Sequence, residues 1–218
     1  MKVFYIFLHI KLNFMDKLNI TLSPTQKIFF SSDQHFGHRN VLRFCARPYT
    51  DEKEMGKAII DNWNNVVSND DIVVTLGDFS WFNDSRSIRK IMDKLNGKEI
   101  YLVLGNHDTR DSFRRITDER FHIIDGISYI YLRCEDENRW YQKTFEIVCS
   151  HFPLMTWAHR DHGAINLFGH IHSGPKRTLD SYDQDLPFWK GQQLDVGVDN
   201  QNYTPVVFED VLKQLAEQ

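Results

Sequence analysis

The chain has 218 residues, 41% of them hydrophobic and 26% charged, with a formal net charge of -4. That length buries one sizeable core, and the acidic balance lacks the basic excess of a chain built as a whole around nucleic acid. Three cysteines, Cys45, Cys134 and Cys149, form no CxxC pair, which argues against a disulfide framework and for a reducing, cytoplasmic setting.

The opening "MKVFYIFLHIKLNF" is apolar, but Lys11 interrupts it and no small-residue cleavage site follows. It is too short to span a bilayer, so no membrane partner is expected. Residues 1–26 read as an N-terminal extension, either an added strand or an upstream start ahead of Met15, and 27–218 as a single domain.

Next come apolar runs that read as strands: Lys27–Ser31, Ile72–Leu76, Ile100–Leu104, Tyr129–Leu132, Phe145–Cys149 and Ile165–Phe168. Between the early runs lie helical stripes. Met55, Ile59, Ile60, Trp63 and Val67 share one helix face, with Thr50 or Asp51 as its cap. Ile88, Ile91, Met92 and Leu95 share another, and Gly97 reads as its C-cap. A last helix covers Glu209 to Glu217. Strand and helix alternate through the first half, which implies an α/β fold with a parallel sheet and helices on its faces.

The chemistry sits where the strands stop. "DQHFGH" follows the first run, "GDF" the second, "GNHD" the third, His151 the Phe145–Cys149 run and "GHIH" the last. In open α/β sheets ligands bind beyond the carboxyl ends of the strands. Singly, each of these residues is an ordinary turn residue; five polar tips on successive apolar runs are not. Asp, Asn and His without thiolate form a donor set for divalent ions such as Mn, Fe, Zn, Co or Ni. In D-x-H and H-x-H both side chains fall on one face of an extended strand end.

In this order the motifs resemble the signature of the calcineurin-like metallophosphoesterases. The local text "SSDQHFGHRNVLRFCARPY", "NWNNVV" and "LGDF" resembles a small bacterial and phage branch of that superfamily. The resemblance implies a four-layer α/β/β/α sandwich of two mixed β-sheets flanked by helices, with two divalent metal ions, Mn foremost, at a sheet edge. By position, Asp33, His35, Asp78 and His172 would hold the first ion. Asp78, Asn106, His151 and His170 would hold the second, with Asp78 shared. A hydroxide between the two ions would attack a phosphoester. His107 would serve as general acid and Asp108 would orient it. The "GD" motif continues "FSWFND" rather than a "VDRG"-type segment, and the dyad acid is Asp108 rather than Glu. That points away from phosphoproteins and toward phosphodiesters or small phosphomonoesters.

Arg47 and His38 follow the first motif closely and read as substrate-binding residues, Arg47 through its bidentate fork. Asp195 and Asp199 in "DVGVDN" read either as partners for the free ring N–H of histidine ligands or as plain strand and turn residues, and His159 and His162 as candidates to line the site. Nucleic acid is the rival substrate, with Arg86, Arg89, Lys90, Arg114, Arg115, Trp81 and Trp157 as raw material for a groove. A non-catalytic scaffold is the rival from another class. Substrate choice is expected in the loops Phe79–Ser87, Leu154–Gly163 and Ser173–Gln193.

Overall fold

The computed structural model describes residues 15–113, 115–140, 143–173 and 189–218. In chain order the strands are β1 (Met15–Leu22), β2 (Ile28–Ser31), β3 (Ile72–Thr75), β4 (Glu99–Val103), β5 (Phe121–Ile124), β6 (Ile127–Cys134), β7 (Phe145–Cys149), β8 (Ile165–Phe168), β9 (Gln193–Asp195) and β10 (Val206–Val207). The helices are α1 (Arg39–Phe44), α2 (Glu52–Val66), α3 (Ser85–Met92), α4 (Arg110–Phe113) and α5 (Phe208–Ala216).

Among the described residues the strands form two five-stranded mixed sheets, ordered β10-β2-β3-β4-β5 and β1-β6-β7-β8-β9. In the first, β2 to β5 run parallel and β10 closes the edge antiparallel. In the second, β7, β8 and β9 run parallel, as do β1 and β6, and an antiparallel β6–β7 pair joins the two groups. The chain is thus a mixed α/β protein with two mixed sheets flanked by helices.

Every residue of β2 and β3 is buried, because both faces of the first sheet are covered; hence the unbroken apolar runs. Ile28, Phe30 and Val74 face Ile130, Ile147 and Leu167 of the second sheet, and α5 joins this core through Phe208, Val211 and Leu215. Phe29 and Val73 point the other way, onto Met55, Ile59 and Trp63 of α2 and Ile88 and Met92 of α3. The outer face of the second sheet is covered at Tyr129 and Val148 by Trp157 and Ala164. Trp157 is therefore a core residue and not part of a groove.

Helix α2 starts where expected: the Asp51 carboxylate accepts the Lys53 and Glu54 amides, one of the strongest N-terminal caps available. Helix α3 ends five residues before Gly97, which is not its cap. Arg120 explains the early stop, since its guanidinium donates to the carbonyls of Met92, Leu95 and Gly97 and satisfies acceptors that a longer helix would have used. The described part of the extension contains the strand β1. β1 pairs with β6 along its whole length, and Ile20 and Leu22 belong to the inter-sheet core. Residues 1–14 lie outside the described residues. Among the described residues no helix is long and apolar enough to cross a membrane.

The parallel register decides where the chemistry goes. The carboxyl ends of β2, β3 and β4 lie on one edge of the first sheet, and those of β7 and β8 on one edge of the second. A parallel bridge between Ser32 and Gly197 ties the edges together. The loops after β2 and β3 run side by side, with the His35 amide on the Asp78 carbonyl at 2.9 Å, Phe36 on Phe79 at 3.0 Å and Trp81 back on Phe36 at 2.9 Å.

Candidate metal centre

Seven of the residues singled out as metal donors converge at this edge. Ligand atoms of Asp33, His35 and His172 lie within 4.8 Å of one another, and so do those of Asp78, His151 and His170. Asp78 spans the two groups: Oδ2 is 3.5 Å from His35 Nε2 and Oδ1 is 3.5 Å from His151 Nε2. Asn106 Oδ1 completes the second group, 2.9 Å from His151 Nε2.

The hydrogen bonds behind these atoms fix what the front atoms offer. His151 Nδ1 lies 2.7 Å from the Leu76 carbonyl, which can only accept, so Nδ1 carries the proton and a neutral ring turns the Nε2 lone pair to the centre. His172 Nδ1 lies 2.7 Å from Asp199 Oδ2, which fixes the same tautomer. His172 Nε2 then faces His35 Nε2 at 3.3 Å and Asp33 Oδ1 at 3.8 Å, while His151 Nε2 faces the Asn106 oxygen. Acceptors turned toward one another at such distances repel unless a proton or a cation stands between them. The residues present therefore fit a pair of divalent cations, in donor type and in orientation.

The backbone supports this. Asp33, His35, Asp78, His170 and His172 all have φ between 46° and 70°, a left-handed conformation that costs a non-glycine residue on the order of 1–3 kcal/mol and persists only where the surroundings enforce it. The turns also press together. A Cβ on Gly77 would stand 2.6 Å from the Gly105 backbone and from His151 Nδ1, and one on Gly169 would run into Ser32 Oγ and Asp33 Oδ2. Only glycine lets the "GD", "GN" and "GH" turns approach this closely.

Charge is out of balance among the donors. Burial pushes the Asp33 carboxyl up to about 6. Burial and the neighbouring His172 lower His35 well below its ordinary value, and burial with His151 nearby brings His170 to about 4. His172 goes the other way: burial opposes its charge, but Asp33 and Asp199 hold it well above the ordinary histidine value. Cation binding requires all of these groups in their proton-free forms. At pH 7 loading is expected to release protons, chiefly from His172. Below about pH 6 protonation of Asp33 competes as well, so affinity falls steeply. Calorimetric titration with Mn²⁺ in two buffers of different ionisation enthalpy, at pH 7.5 and 5.5, checks both; affinity unchanged between the two pH values would contradict the expectation.

Other residues stand differently from their sequence reading. Arg47 does not face the site. Its guanidinium is buried behind it, forked on Asp199 at 2.8 Å twice and donating to the carbonyls of Asp33 at 2.7 Å and Gln34 at 3.1 Å. It is a brace for the first motif, not a phosphate grip. Asp108 does not hold the His107 ring. Its carboxylate accepts the amides of Gly105, Phe79 and Ser80 and clamps the turn after β3 to the turn after β4. Asp199 is the partner expected for a histidine ligand, but Asp195 is not: it binds Ser173 and the Gly197 amide. His159 bonds Tyr129 and Glu146, within the cover of the second sheet's outer face.

His107 and His38 stay at the centre without joining either donor group. His107 Nε2 is 3.9 Å from Asp78 Oδ2, and the ring is 37% exposed. His38 Nδ1 is 3.4 Å from His35 Nδ1, and burial lowers its pKa to about 4, so it meets a substrate uncharged at pH 7. Two neighbours were not read as part of the metal centre: Cys45, one of the three cysteines without a CxxC partner, lies within 4.8 Å of His172 and Asp199, and Trp81 was read only as raw material for a nucleic-acid groove. Trp81 stacks flat on His38, with ring centroids 3.9 Å apart. The signal for Trp81 was its place three residues after Asp78, on the loop that pairs with the His35–His38 turn.

No family model matches the chain. It is 32% identical over 189 residues to "Uncharacterized protein MJ1445" of Methanocaldococcus jannaschii, across 86% of this chain and 90% of that one. The chain belongs to the MJ1445 family. The "Gene 66 protein" of Mycobacterium phage L5 aligns at 27% identity over 66% of this MJ1445-family chain and 77% of its own. Its counterpart in phage D29 aligns at 30% over 67% and 78%. The solved structure of AQ665, a protein of unknown function from Aquifex aeolicus, matches with a TM-score of 0.60 at 22% identity, over 86% of this chain and 98% of its own. That likeness is one of fold.

Proposed function

We propose that this chain is a two-metal phosphoester hydrolase of the calcineurin-like type, acting on phosphodiesters, and that its two sheets and helices are a version of the four-layer sandwich of that superfamily. The observation that carries the reading is the convergence of donor atoms: with Nδ1 of His151 and His172 tied to acceptors behind them, their Nε2 atoms meet His35 and the oxygens of Asp33, Asp78 and Asn106 at distances that only a proton or a cation can bridge.

One cation would be held by Asp33, His35, His172 and Asp78, the other by Asp78, Asn106, His151 and His170. Such a pair supplies concentrated positive charge for a phosphoryl group and acidifies water to a nucleophile near neutral pH. The chain's own residues do the rest. Asp199 and the Leu76 carbonyl keep His172 and His151 in the ligating tautomer. Asp33 is held by the His170 amide at 2.9 Å, and Asp78 by the His107 amide at 2.9 Å, so both carboxylates are aimed before any ligand arrives. His107, beside but outside the donor groups, donates a proton to the departing oxygen. Asp108 holds the turn that carries it.

The test is metal content together with turnover. Purified protein is expected to take up close to two Mn²⁺ per chain and to hydrolyse bis(p-nitrophenyl) phosphate only when loaded. Stoichiometric metal without hydrolysis of any phosphodiester or phosphomonoester would sink the enzymatic reading and leave a metal-binding scaffold.

A further inference from the structure

Trp81 is 44% exposed, yet it stands at the centre of the proposed chemistry. One face of its indole is stacked on His38 at an interplanar angle of 6°, and its ring centroid is 4.7 Å from that of His107. Its backbone amide is fixed on the Phe36 carbonyl. The structure therefore leaves a large apolar ring half bare beside the group that would protonate the leaving oxygen. With the two ring centroids 4.7 Å apart, a large leaving group bonded to His107 can reach the indole. Arg47, the nearby guanidinium, is committed to Asp199, so what this wall offers the leaving group is a stacking surface rather than a second phosphate grip.

We propose that the leaving group of the phosphodiester is a nucleoside whose base stacks on Trp81. The inference rests on the phosphoesterase reading and adds the substrate class to it. In the reaction, water's oxygen bonds to phosphorus and gives up one proton to solvent, the bond from phosphorus to the nucleoside oxygen breaks, and a proton from His107 passes to that oxygen, His107 then regaining one from solvent. Base stacking on an aromatic side chain is sequence-tolerant, so all four bases are accepted with modest differences between them.

A methyl nucleoside 5′-phosphodiester tests this, because its two alcohols are both primary and only one carries a base. Release of nucleoside with methyl phosphate is expected to exceed release of methanol with nucleotide by about tenfold or more. Trp81→Ala is expected to cut that ratio by about tenfold, and Trp81→Phe to restore most of it. Independently of turnover, a nucleoside monophosphate is expected to quench part of the tryptophan emission of the Mn²⁺-loaded protein, and Trp81→Phe to remove that part. A product ratio near one, a ratio unmoved in Trp81→Ala, or quenching that survives in Trp81→Phe would overturn the proposal while leaving the phosphoesterase intact. Absence of metal-dependent cleavage at either bond would overturn both.

Discussion

Asp199→Ala is expected to cost about 3–5 kcal/mol of stability, far more than an ordinary surface change, and to weaken cation binding by roughly 10–100-fold. The two losses have different causes. Asp199 and Arg47 form a bidentate pair with side chains 6% and 0% exposed. Truncating the carboxylate leaves a guanidinium buried against the carbonyls of Asp33 and Gln34, with nothing to neutralise it. The same carboxylate oxygen accepts His172 Nδ1 at 2.7 Å, so its loss also frees the His172 ring to turn and to change tautomer. Burial works against the Asp199 charge, but Arg47 and His172 hold the carboxyl down at about 2. Since this folded value lies below the ordinary one, the stabilisation is fully present above about pH 4 and is lost as pH falls toward 2. The gap between wild type and variant should close over that window. Urea unfolding at pH 7 and pH 3, with a Mn²⁺ titration at pH 7, measures both effects. A variant as stable as wild type at pH 7 would mean that Arg47 finds water or another partner.

The second large effect concerns His107. His107→Ala is expected to retain both cations and to lose about 10²–10⁴-fold in kcat on a phosphodiester with a poor leaving group. Metal is retained because the His107 ring belongs to neither donor group. The loss should shrink on p-nitrophenyl esters, whose leaving oxygen needs no proton, and that contrast separates an acid from a mere space-filler. Equal losses on both ester types would assign His107 to binding instead. His107→Ala also exposes a flank of Trp81, so the ester with the poor leaving group is best an alkyl ester that does not stack.

The elements legible in the sequence are those whose burial is two-sided. β2 and β3 are nearly continuous apolar runs, because a strand covered on both faces has no polar side to show, and β7 and β8 follow them with one polar residue each, Glu146 and Asn166. β5 and β9 escaped notice because they include His122, Gln193 and Asp195 in strands of four and three residues. β1, in a segment read as an added strand or an upstream start, alternates polar and apolar residues as the edge of the second sheet. The helix stripe through Leu95 overran because Leu95 is buried whether or not it is helical, and Arg120, from the next strand connection, ends α3 early.

At the centre, the order of donors at the strand tips was a local property, written in Asp33, His35, Asp78, Asn106, His151, His170 and His172. Whether a charged residue near such a motif faces the substrate or braces the loop is not local. Arg47 and Asp108 carry the same charges in either role, and their roles turned on Asp199, 152 positions beyond Arg47, and on amides 29 residues before Asp108. The stacking of Trp81 on His38 depends in the same way on two loops running side by side. The sequence alone therefore specified which donor atoms a cation would meet, since donor type is set residue by residue, but not their aim, because Asp33, His35, Asp78, His170 and His172 lie past the strand ends in left-handed backbone rather than on an extended strand. Only the tertiary structure decided which buried charges neutralise one another and which ring stays bare, because desolvation is imposed by whatever the folded chain packs against each group.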